Sequence, residues 1–266
     1  MNAPRRAAPS LADLIASEPD GWPADAASEE LVGAWRMYQR RRGHRASTDD
    51  VLTAWMAVRL AAGPPARYLD LGCGVGSVLL LTAHRLRPGS SLGVEAQAES
   101  ALLAQRSVAE LPDAPPITVE HADLRALCPD RHGVFDLVTG SPPYFPVGTG
   151  LLSGDAQRRA CRFELRGGVE AYCEAAAHVL APDGAFALVF PTEGDARVRA
   201  AAAASALHLR ARADVRMRAD REKPFLTVYG LGRRAAALAS WSMAIRTAGG
   251  EVTAAYRAAR AELGLR

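Results

Sequence analysis

Short apolar stretches alternate with longer amphipathic stretches from about residue 65 onward. Five short stretches have the length and composition of buried strands: 68–71, 92–95, 117–121, 135–139 and 185–190. Between them, apolar positions recur with helical spacing at 78–86, 98–111 and 169–180, each followed closely by a proline or a glycine. Strands that alternate with helices predict a parallel sheet covered by helices on both faces.

The end of the chain follows a different pattern. Residues 207–218 (LHLRARADVRMR) alternate strictly between apolar and mostly basic side chains, which predicts a half-buried strand with an arginine-rich face. Residues 225–230 (FLTVYG) predict a second strand, so the two form a hairpin. We therefore predict an α/β protein with a seven-stranded, mostly parallel sheet and an antiparallel C-terminal hairpin. This is the arrangement of the Rossmann-like class I methyltransferase fold.

The N-terminal part lacks this periodicity. Residues 1–30 are rich in alanine, proline and acidic residues, which predicts a loosely ordered lead-in. Residues 31–266 are predicted to form a single domain, in which 31–66 are an N-terminal extension that covers the ligand site. The chain has no run of about 18 apolar residues and no secretory h-region at its N-terminus. We expect a cytoplasmic protein without a membrane-spanning helix.

Charge and cysteine content narrow the possible functions further. The net charge is +3, and Lys223 is the only lysine among 32 basic residues. Arginines cluster in 36–45 (RMYQRRRGHR) and in 158–162 (RRACR), which predicts phosphate contacts if each cluster is more than a solvated face. The four cysteines show neither CxxC spacing nor a histidine at zinc-ligand distance, so we expect reduced thiols and no metal.

A glycine-rich loop follows the first predicted strand of the sheet. In YLDLGCGVGS (68–77), Gly72, Gly74 and Gly76 allow a sharp turn and a close approach of a ligand to the backbone. A dinucleotide fingerprint has its third glycine one position later, where this chain has Ser77. No phosphate-binding lysine follows, which excludes a P-loop.

Acidic residues end the next two strands. Glu95 is positioned to accept hydrogen bonds from both hydroxyls of a ribose, and Asp123 from the exocyclic amine of an adenine. Two acids with a glycine loop that lacks phosphate machinery suit S-adenosylmethionine, and Asp70 would orient the amino-acid end of that ligand. The predicted cofactor-binding set also contains Cys73, Ala96, Leu124 and Ser141.

The stretch GSPPYF (140–145) follows the fourth strand, at the sheet edge where open α/β folds bind ligands. Two prolines make this strand end rigid, and Tyr144 offers a flat face to a planar group. An NH₂ group on that planar ligand would face the Ser141 hydroxyl and the Pro142 carbonyl. A sulfonium methyl is already a strong electrophile, so positioning supplies most of the catalysis. The predicted catalytic residues are Ser141, Pro142, Pro143 and Tyr144.

The motif [N/D/S]-P-P-[Y/F] marks amino-methyltransferases, which modify adenine N6, cytosine N4, guanine N2 or a glutamine amide. Other stretches resemble one branch, the bacterial tRNA1(Val) adenine-N6-methyltransferases, which act on the adenosine just after the anticodon. They are QRRRGHRASTDDVLTAW (39–55), SPPYFPVGTG (141–150), RRACRFEL (158–165) and LASWSMAIRTAGGEVTAAYRAA (238–259). The similarity runs from about residue 31 to the end of the chain.

This resemblance implies further roles. Thr48 and Asp49 would line the methionine end of the cofactor, and Phe145 would form a second wall against the target base. Contacts to a tRNA backbone would come from Arg40, Arg41, Arg42, Arg45, Arg158, Arg159 and Arg162. An ion pair between Arg162 and Glu164 is the alternative for those two residues. The oligomeric state is not predicted.

Ser141 departs from the family pattern, which has asparagine there in adenine-N6 enzymes. A serine is shorter and cannot contact both the target NH₂ and the base ring. SPPY resembles the form in cytosine-N4 DNA methyltransferases, which carry a separate target-recognition region. The alternatives are therefore another NH₂ acceptor (a release-factor glutamine, rRNA guanine N2 or DNA cytosine N4) or a catalytically silent module that binds cofactor and RNA.

Overall fold

The structure is a computed structural model that describes residues 10–149 and 153–266. A short helix opens this part of the chain, and a two-stranded antiparallel ribbon and a longer helix follow it. They are α1 (Leu11–Ala16), β1 (Ala26–Val32), β2 (Trp35–Arg40) and α2 (Thr48–Leu60).

The ribbon begins inside the stretch 1–30, for which the sequence predicts a loosely ordered lead-in. The AASEELV sequence of β1 has no clear alternation, and its backbone groups pair with β2, which buries Trp35 and Met37. Residues 1–9 of the lead-in lie outside the described residues. The division at residue 31 stays a prediction.

Strands and helices alternate through the middle of the chain as the periodicity predicts, and a short helix that the sequence does not predict lies between the last two of these strands. The elements are β3 (Arg67–Leu71), α3 (Ser77–Leu86), β4 (Ser90–Glu95), α4 (Ala98–Ala109), β5 (Ile117–His121), α5 (Pro129–His132) and β6 (Phe135–Gly140). The C-terminal half continues with α6 (Ala156–Arg162), α7 (Val169–Val179), β7 (Leu180–Pro191), α8 (Asp195–Ala204), β8 (His208–Arg218), β9 (Leu226–Gly232), β10 (Ala239–Arg246) and α9 (Ala254–Glu262).

Among the described residues, the main sheet has eight strands in the order β10-β8-β9-β7-β6-β3-β4-β5. Strands β3 to β7 run parallel, and β9 is antiparallel to both β7 and β8. The predicted hairpin is confirmed, but the predicted count of seven strands is wrong. The eighth strand, β10, pairs in parallel with β8, so the arginine-rich strand has a neighbour on each side instead of forming the sheet edge.

The sheet is covered on both faces because successive strand residues point in opposite directions. In β3, Tyr68 packs in a core with residues of α2, α3, α4 and α9, whereas Leu69 packs in a core with residues of α7 and α8. Both side chains are fully buried. The predicted α/β architecture with helices on both faces is therefore confirmed.

The strand order creates a switch point beside β3. The chain moves outward from β3 through β4 to β5 and then returns to β6 on the other side of β3. The loops that leave neighbouring strands on either side of such a point diverge and open a crevice at their carboxyl ends. The glycine loop leaves β3 here, and the SPPY motif leaves β6.

Candidate active site

A cleft opens at this switch point, with about 950 Å³ of space when its open mouth is included. Its wall brings together eleven of the residues that the sequence predicts for the site: Arg45, Asp70, Gly72, Cys73, Gly74, Glu95, Ala96, Asp123, Leu124, Ser141 and Pro143. Thr48, Asp49, Gly76, Pro142 and Tyr144 do not line it. Gly76 instead caps α3 with a left-handed backbone (φ 94°).

Glu95 holds the glycine loop at the end of β4. Its carboxylate accepts hydrogen bonds from the backbone N–H groups of Gly74 (2.9 Å) and Gln97 (2.7 Å). Gly74 has a φ of +56°, and a Cβ added there would meet no atom within 4 Å. Burial raises the pKa of Glu95. The loop is thus fixed with open space in front of Gly74, and each carboxylate oxygen keeps a lone pair for a ligand hydroxyl.

Asp70, at the end of β3, has one carboxylate oxygen without a partner. The hydroxyl of Thr139 donates to Oδ1 at 2.6 Å, and Oδ2 is buried with no hydrogen-bond partner among residues 10–149 and 153–266. Burial raises the pKa of Asp70 to about 7. An unpaired carboxylate oxygen in a cleft is a binding point for a cation or a donor group.

Asp123 follows β5 and is engaged by a neighbouring arginine. Its carboxylate forms an ion pair with Arg125 at 2.6 Å and accepts the Arg125 backbone N–H at 3.0 Å. Burial raises the pKa of Asp123, but the bonds from Arg125 outweigh it and hold the pKa below its ordinary value. The carboxylate that the sequence predicts as the acceptor for an adenine amine is therefore shared with Arg125.

Tyr144 is held from two sides. Its hydroxyl donates to the Asp49 carboxylate at 2.5 Å, and its ring packs edge-on against Phe190, with centroids 5.5 Å apart. Burial and the nearby carboxylate raise the pKa of Tyr144 well above its ordinary value, so its hydroxyl keeps its proton. Asp49 is predicted to contact the cofactor, but in the structure its side chain binds Tyr144.

The backbone of the motif is braced by the last residue of α6 and by the segment that follows the helix. The N–H groups of Tyr144 and Phe145 both donate to the Arg162 carbonyl, at 3.1 and 3.0 Å, and the Glu164 N–H donates to the Phe145 carbonyl at 3.0 Å. The Phe145 side chain remains 48% exposed and is available as a wall for a ligand. Gly150, the last residue of SPPYFPVGTG, lies outside the described residues.

The end of α6 and the segment after it form the outer wall of the cleft, with Cys161, Phe163 and Arg166 among the lining residues. Helix α1 and the loop after it hold this wall. The Arg159 guanidinium donates to the Leu14 carbonyl (3.5 Å) and the Ser17 hydroxyl (3.1 Å). Arg166 forms a bidentate ion pair with Glu18, with donor–acceptor distances of 2.7 and 3.0 Å.

The predicted basic surface is smaller than the sequence suggests. Arg40 and Arg159 do not belong to this surface, because their side chains bind other residues inside the protein. Arg40 forms ion pairs with Asp25, Glu99 and Asp155, and its side chain is only 17% exposed. Arg45, at the cleft, pairs with Glu29 at 2.6 Å. The exposed members of the predicted set are Arg41, Arg42, Arg45, Arg158 and Arg162.

The alternative ion pair between Arg162 and Glu164 is not formed. Glu164 instead accepts hydrogen bonds from the Arg197 guanidinium at 2.6 and 3.0 Å, and Arg197 also pairs with Glu170. Within the described part of the chain, Arg162 has no carboxylate partner at ion-pair distance. Its guanidinium therefore remains open to an anionic ligand.

The placement of Arg40 predicts a stability role. Replacing Arg40 with alanine leaves the Glu99 carboxylate, whose side chain is 6% exposed, without its cationic partner. We expect the free energy of unfolding to fall by about 3 kcal/mol, because an uncompensated buried charge is costly. Chemical denaturation measures this, with Arg41→Ala as the matched control, which we expect to change stability by less than about 0.5 kcal/mol. An unchanged unfolding midpoint in Arg40→Ala would restore the RNA-contact interpretation.

The sequence does not predict several of the residues that line the cleft. Asp50 is buried and accepts a hydrogen bond from the Ser77 hydroxyl at 2.8 Å, which ties the start of α2 to the glycine loop. Burial raises the pKa of Asp50 to about 6. Its signal in the sequence is the capping box S-T-D-D, since Ser47 and Asp50 cap α2. No local signal marks His44 or Tyr172, which also line the cleft.

Two further properties concern only the residues that the structure describes. None of their His, Cys, Asp and Glu side chains gather into a group of three that could hold a metal ion. None of their helices has the length and apolar character needed to span a membrane.

Comparison with known proteins shows which enzymes the chain resembles. It is 32% identical over 173 residues to a tRNA1(Val) (adenine(37)-N6)-methyltransferase of Citrobacter koseri, which covers 64% of this chain and 68% of that protein. It is also 32% identical over 179 residues to the enzyme of the same name from Dickeya chrysanthemi, which covers 66% and 68% of the two chains. No protein-family model matches the chain.

Solved structures share the fold at lower identity. A predicted O-methyltransferase of Agrobacterium tumefaciens superposes with a TM-score of 0.58 at 21% identity, covering 80% of this chain and 97% of that one. The 16S rRNA N2 G1207 methyltransferase of T. thermophilus, solved in complex with AdoMet and guanosine, has a TM-score of 0.52 at 20% identity. It covers 79% of this chain and 50% of that one. These similarities confirm the predicted class I methyltransferase fold.

Proposed function

Because the chain belongs to the tRNA1(Val) (adenine(37)-N6)-methyltransferase family, we propose that it transfers a methyl group from S-adenosylmethionine to N6 of adenosine 37 in a tRNA. The observation that carries this proposal is the cleft itself. One sheet edge presents a glycine loop fixed by Glu95 and, one strand away, the SPPY motif. A methyl donor and an amine acceptor bound there would lie next to each other.

The residues of the cleft fit S-adenosylmethionine. The free Oδ2 of Asp70 matches the ammonium of the methionine part, and the open space at Gly74 allows a ligand to lie against the backbone. Glu95 would accept the ribose hydroxyls, and Asp123, which lines the same cleft, would face the adenine. When bound, the cofactor supplies an electrophilic sulfonium methyl.

The residues of the acceptor side fit a flat base with an exocyclic amine. The Tyr144 ring, fixed by Asp49 and Phe190, would stack on the base, and exposed Phe145 would contact it from a second side. Ser141 Oγ and the Pro142 carbonyl would accept the amine hydrogens. A base reaches such a pocket only after leaving its stack, which costs least for an unpaired nucleotide in a loop.

The tRNA would be held by the exposed arginines beside the cleft, Arg41, Arg42, Arg45, Arg158 and Arg162. The Arg158 Nε donates to the Gly43 carbonyl at 3.1 Å, and His44 lines the cleft, so the two arginine clusters of the sequence meet at its rim. Such a surface makes binding depend on salt concentration. A tRNA-modifying reaction takes place in the cytoplasm, which is the location that we propose.

The test is a methylation assay with radiolabelled S-adenosylmethionine and bulk tRNA, rRNA, DNA or release factor. The product is digested and the labelled nucleoside or residue is identified. We expect label in N6-methyladenosine from tRNA. Label in N4-methylcytosine, N2-methylguanosine or glutamine would assign another NH₂ acceptor. Cofactor binding by calorimetry with no label in any pool would identify a silent binding module.

The raised pKa of Asp70 predicts that cofactor binding depends on pH. Below about pH 7 its carboxyl holds a proton, and an ammonium partner requires the charged form, so binding releases that proton. We expect the affinity for S-adenosylmethionine to rise about five- to tenfold between about pH 6 and about pH 7.5. Asp50, whose pKa is about 6, changes the affinity in the same direction.

Calorimetry at several pH values measures this effect. Asp70→Asn removes the titrating carboxyl, and we expect a weaker affinity that rises less steeply with pH. We expect the remaining change of affinity with pH in this variant to come from the titration of Asp50. An affinity that rises equally steeply in the wild type and in Asp70→Asn would show that another group binds the ammonium.

A further inference from the structure

We propose that Thr53 fixes the direction of the Ser141 hydroxyl, so that Ser141 can only accept a hydrogen bond from the substrate amine. The proposal rests on the function proposed above. It assigns to a buried residue of α2 the orientation of a serine at the position where the adenine-N6 pattern described above has an asparagine. Thr53 acts through Ser141 and is therefore a positioning residue.

The argument begins with the single proton of the Thr53 hydroxyl. Thr53 is fully buried, and its Oγ1 donates to the Asp49 carbonyl one helical turn earlier, at 2.8 Å. A hydroxyl has one hydrogen to donate and two lone pairs with which to accept. Once that hydrogen lies on the Asp49 carbonyl, Thr53 Oγ1 can only accept from any other neighbour.

The neighbour is Ser141, whose Oγ lies 3.3 Å from Thr53 Oγ1. Either atom could donate in an isolated pair, but here the proton of Thr53 is already engaged. The hydrogen between them therefore belongs to Ser141. With its hydrogen directed at α2, the Ser141 oxygen presents its lone pairs to the cleft, which it lines.

This polarity is the one that methyl transfer to an exocyclic amine needs. An acceptor oxygen at an amine hydrogen increases the electron density on nitrogen, whereas an O–H donor directed at the nitrogen would occupy the lone pair that attacks the methyl. Asparagine provides a fixed acceptor through its amide oxygen, but a free serine hydroxyl can do either. The Thr53–Ser141 pair restores a fixed acceptor.

The first turn of α2 thus holds both ends of the motif. The Asp49 carboxylate binds the Tyr144 hydroxyl, and the Asp49 carbonyl orients Ser141 through Thr53. The start of this helix is itself fixed to the glycine loop by Asp50 and Ser77. The acceptor motif and the cofactor loop therefore share one support.

The first test compares Thr53→Val, which removes the hydroxyl at similar size, with Thr53→Ser, which keeps it. We expect Thr53→Val to lower kcat about tenfold, with unchanged KM for tRNA and unchanged cofactor affinity, because only the polarity of one hydrogen bond is lost. Thr53→Ser should retain most of the activity. Thr82→Val is the matched control, since Thr82 is equally buried in α3 and its hydroxyl has no partner in the described part of the chain.

A double-mutant cycle separates positioning from a structural effect. If Thr53 acts through Ser141, then Thr53→Val should change kcat little in a Ser141→Ala background. The same tenfold loss in both backgrounds, or an equal loss in Thr53→Ser, would overturn the proposal. Thermal unfolding of each variant checks the fold. The methylated product of the wild-type protein identifies the acceptor independently of these variants. Label in an amine other than adenine N6 would overturn the proposed function. The double-mutant cycle would then be measured with that other acceptor, and its result would still test the role of Thr53.

Discussion

Replacing Glu95 with alanine is expected to weaken S-adenosylmethionine binding about 100-fold, because two charge-assisted hydrogen bonds to the loop and the contacts to the ribose are lost together. In the structure, the Glu95 carboxylate joins the backbone of Gly74 to that of Gln97. Without it, the Gly74 N–H loses the acceptor that it has in the structure, and the loop loses its fixed shape. The cofactor would then have to order the loop as it binds.

Calorimetric titration of the purified variant measures this loss. Glu120→Ala is a suitable control, since Glu120 lies on the neighbouring strand β5 and does not line the cleft. We expect it to bind the cofactor with wild-type affinity. If Glu95→Ala also bound normally, the glycine loop would be held by other contacts, and the ribose would have to lie elsewhere.

Replacing Tyr144 with alanine is expected to lower kcat about 100-fold, since it removes both the stacking surface and the rigid wall against the base. The cofactor affinity should not change, because the Tyr144 side chain does not line the cofactor cleft. Single-turnover methylation of tRNA, with the cofactor at saturating concentration, isolates the chemical step.

The variant Tyr144→Phe separates the contribution of the Tyr144 ring from that of its hydroxyl. It keeps the ring and the contact with Phe190 but removes the hydroxyl that donates to Asp49. We expect it to lose about tenfold or less, because the ring can still stack while its orientation is held less firmly. An alanine variant as active as the phenylalanine variant would show that stacking on Tyr144 does not position the base.

The sequence predicts the parallel part of the sheet closely, for a physical reason. Strands buried on both faces are continuous apolar runs, and the residue after each run lies at the sheet edge where ligands bind. The strand ends predicted in this way carry Glu95, Asp123 and Ser141, and all three residues line one cleft in the structure. The Gly-rich loop was recognisable because left-handed φ values at Gly72 and Gly74 favour glycine.

The errors come from contacts between residues far apart in the chain. Arg40 and Arg159 belong to arginine clusters that look alike in sequence, yet Arg40 meets Glu99 and Arg159 meets Leu14. No local pattern distinguishes an arginine that will be enclosed by acids from one that stays exposed. The predicted count of seven strands is too low for a similar reason, because the place of β10 in the sheet is set by its pairing with β8 rather than by its own alternation.

The contacts of α1 determine where a minimal catalytic domain can begin. A truncated chain that began at the ribbon would keep every recognisable motif but lose Leu14, Ser17 and Glu18. Arg159 would then be a buried guanidinium short of acceptors, and Arg166 would bring an unneutralised positive charge to the cleft wall. The first helix, which carries no motif, is therefore part of the smallest unit that can be expected to bind the cofactor normally.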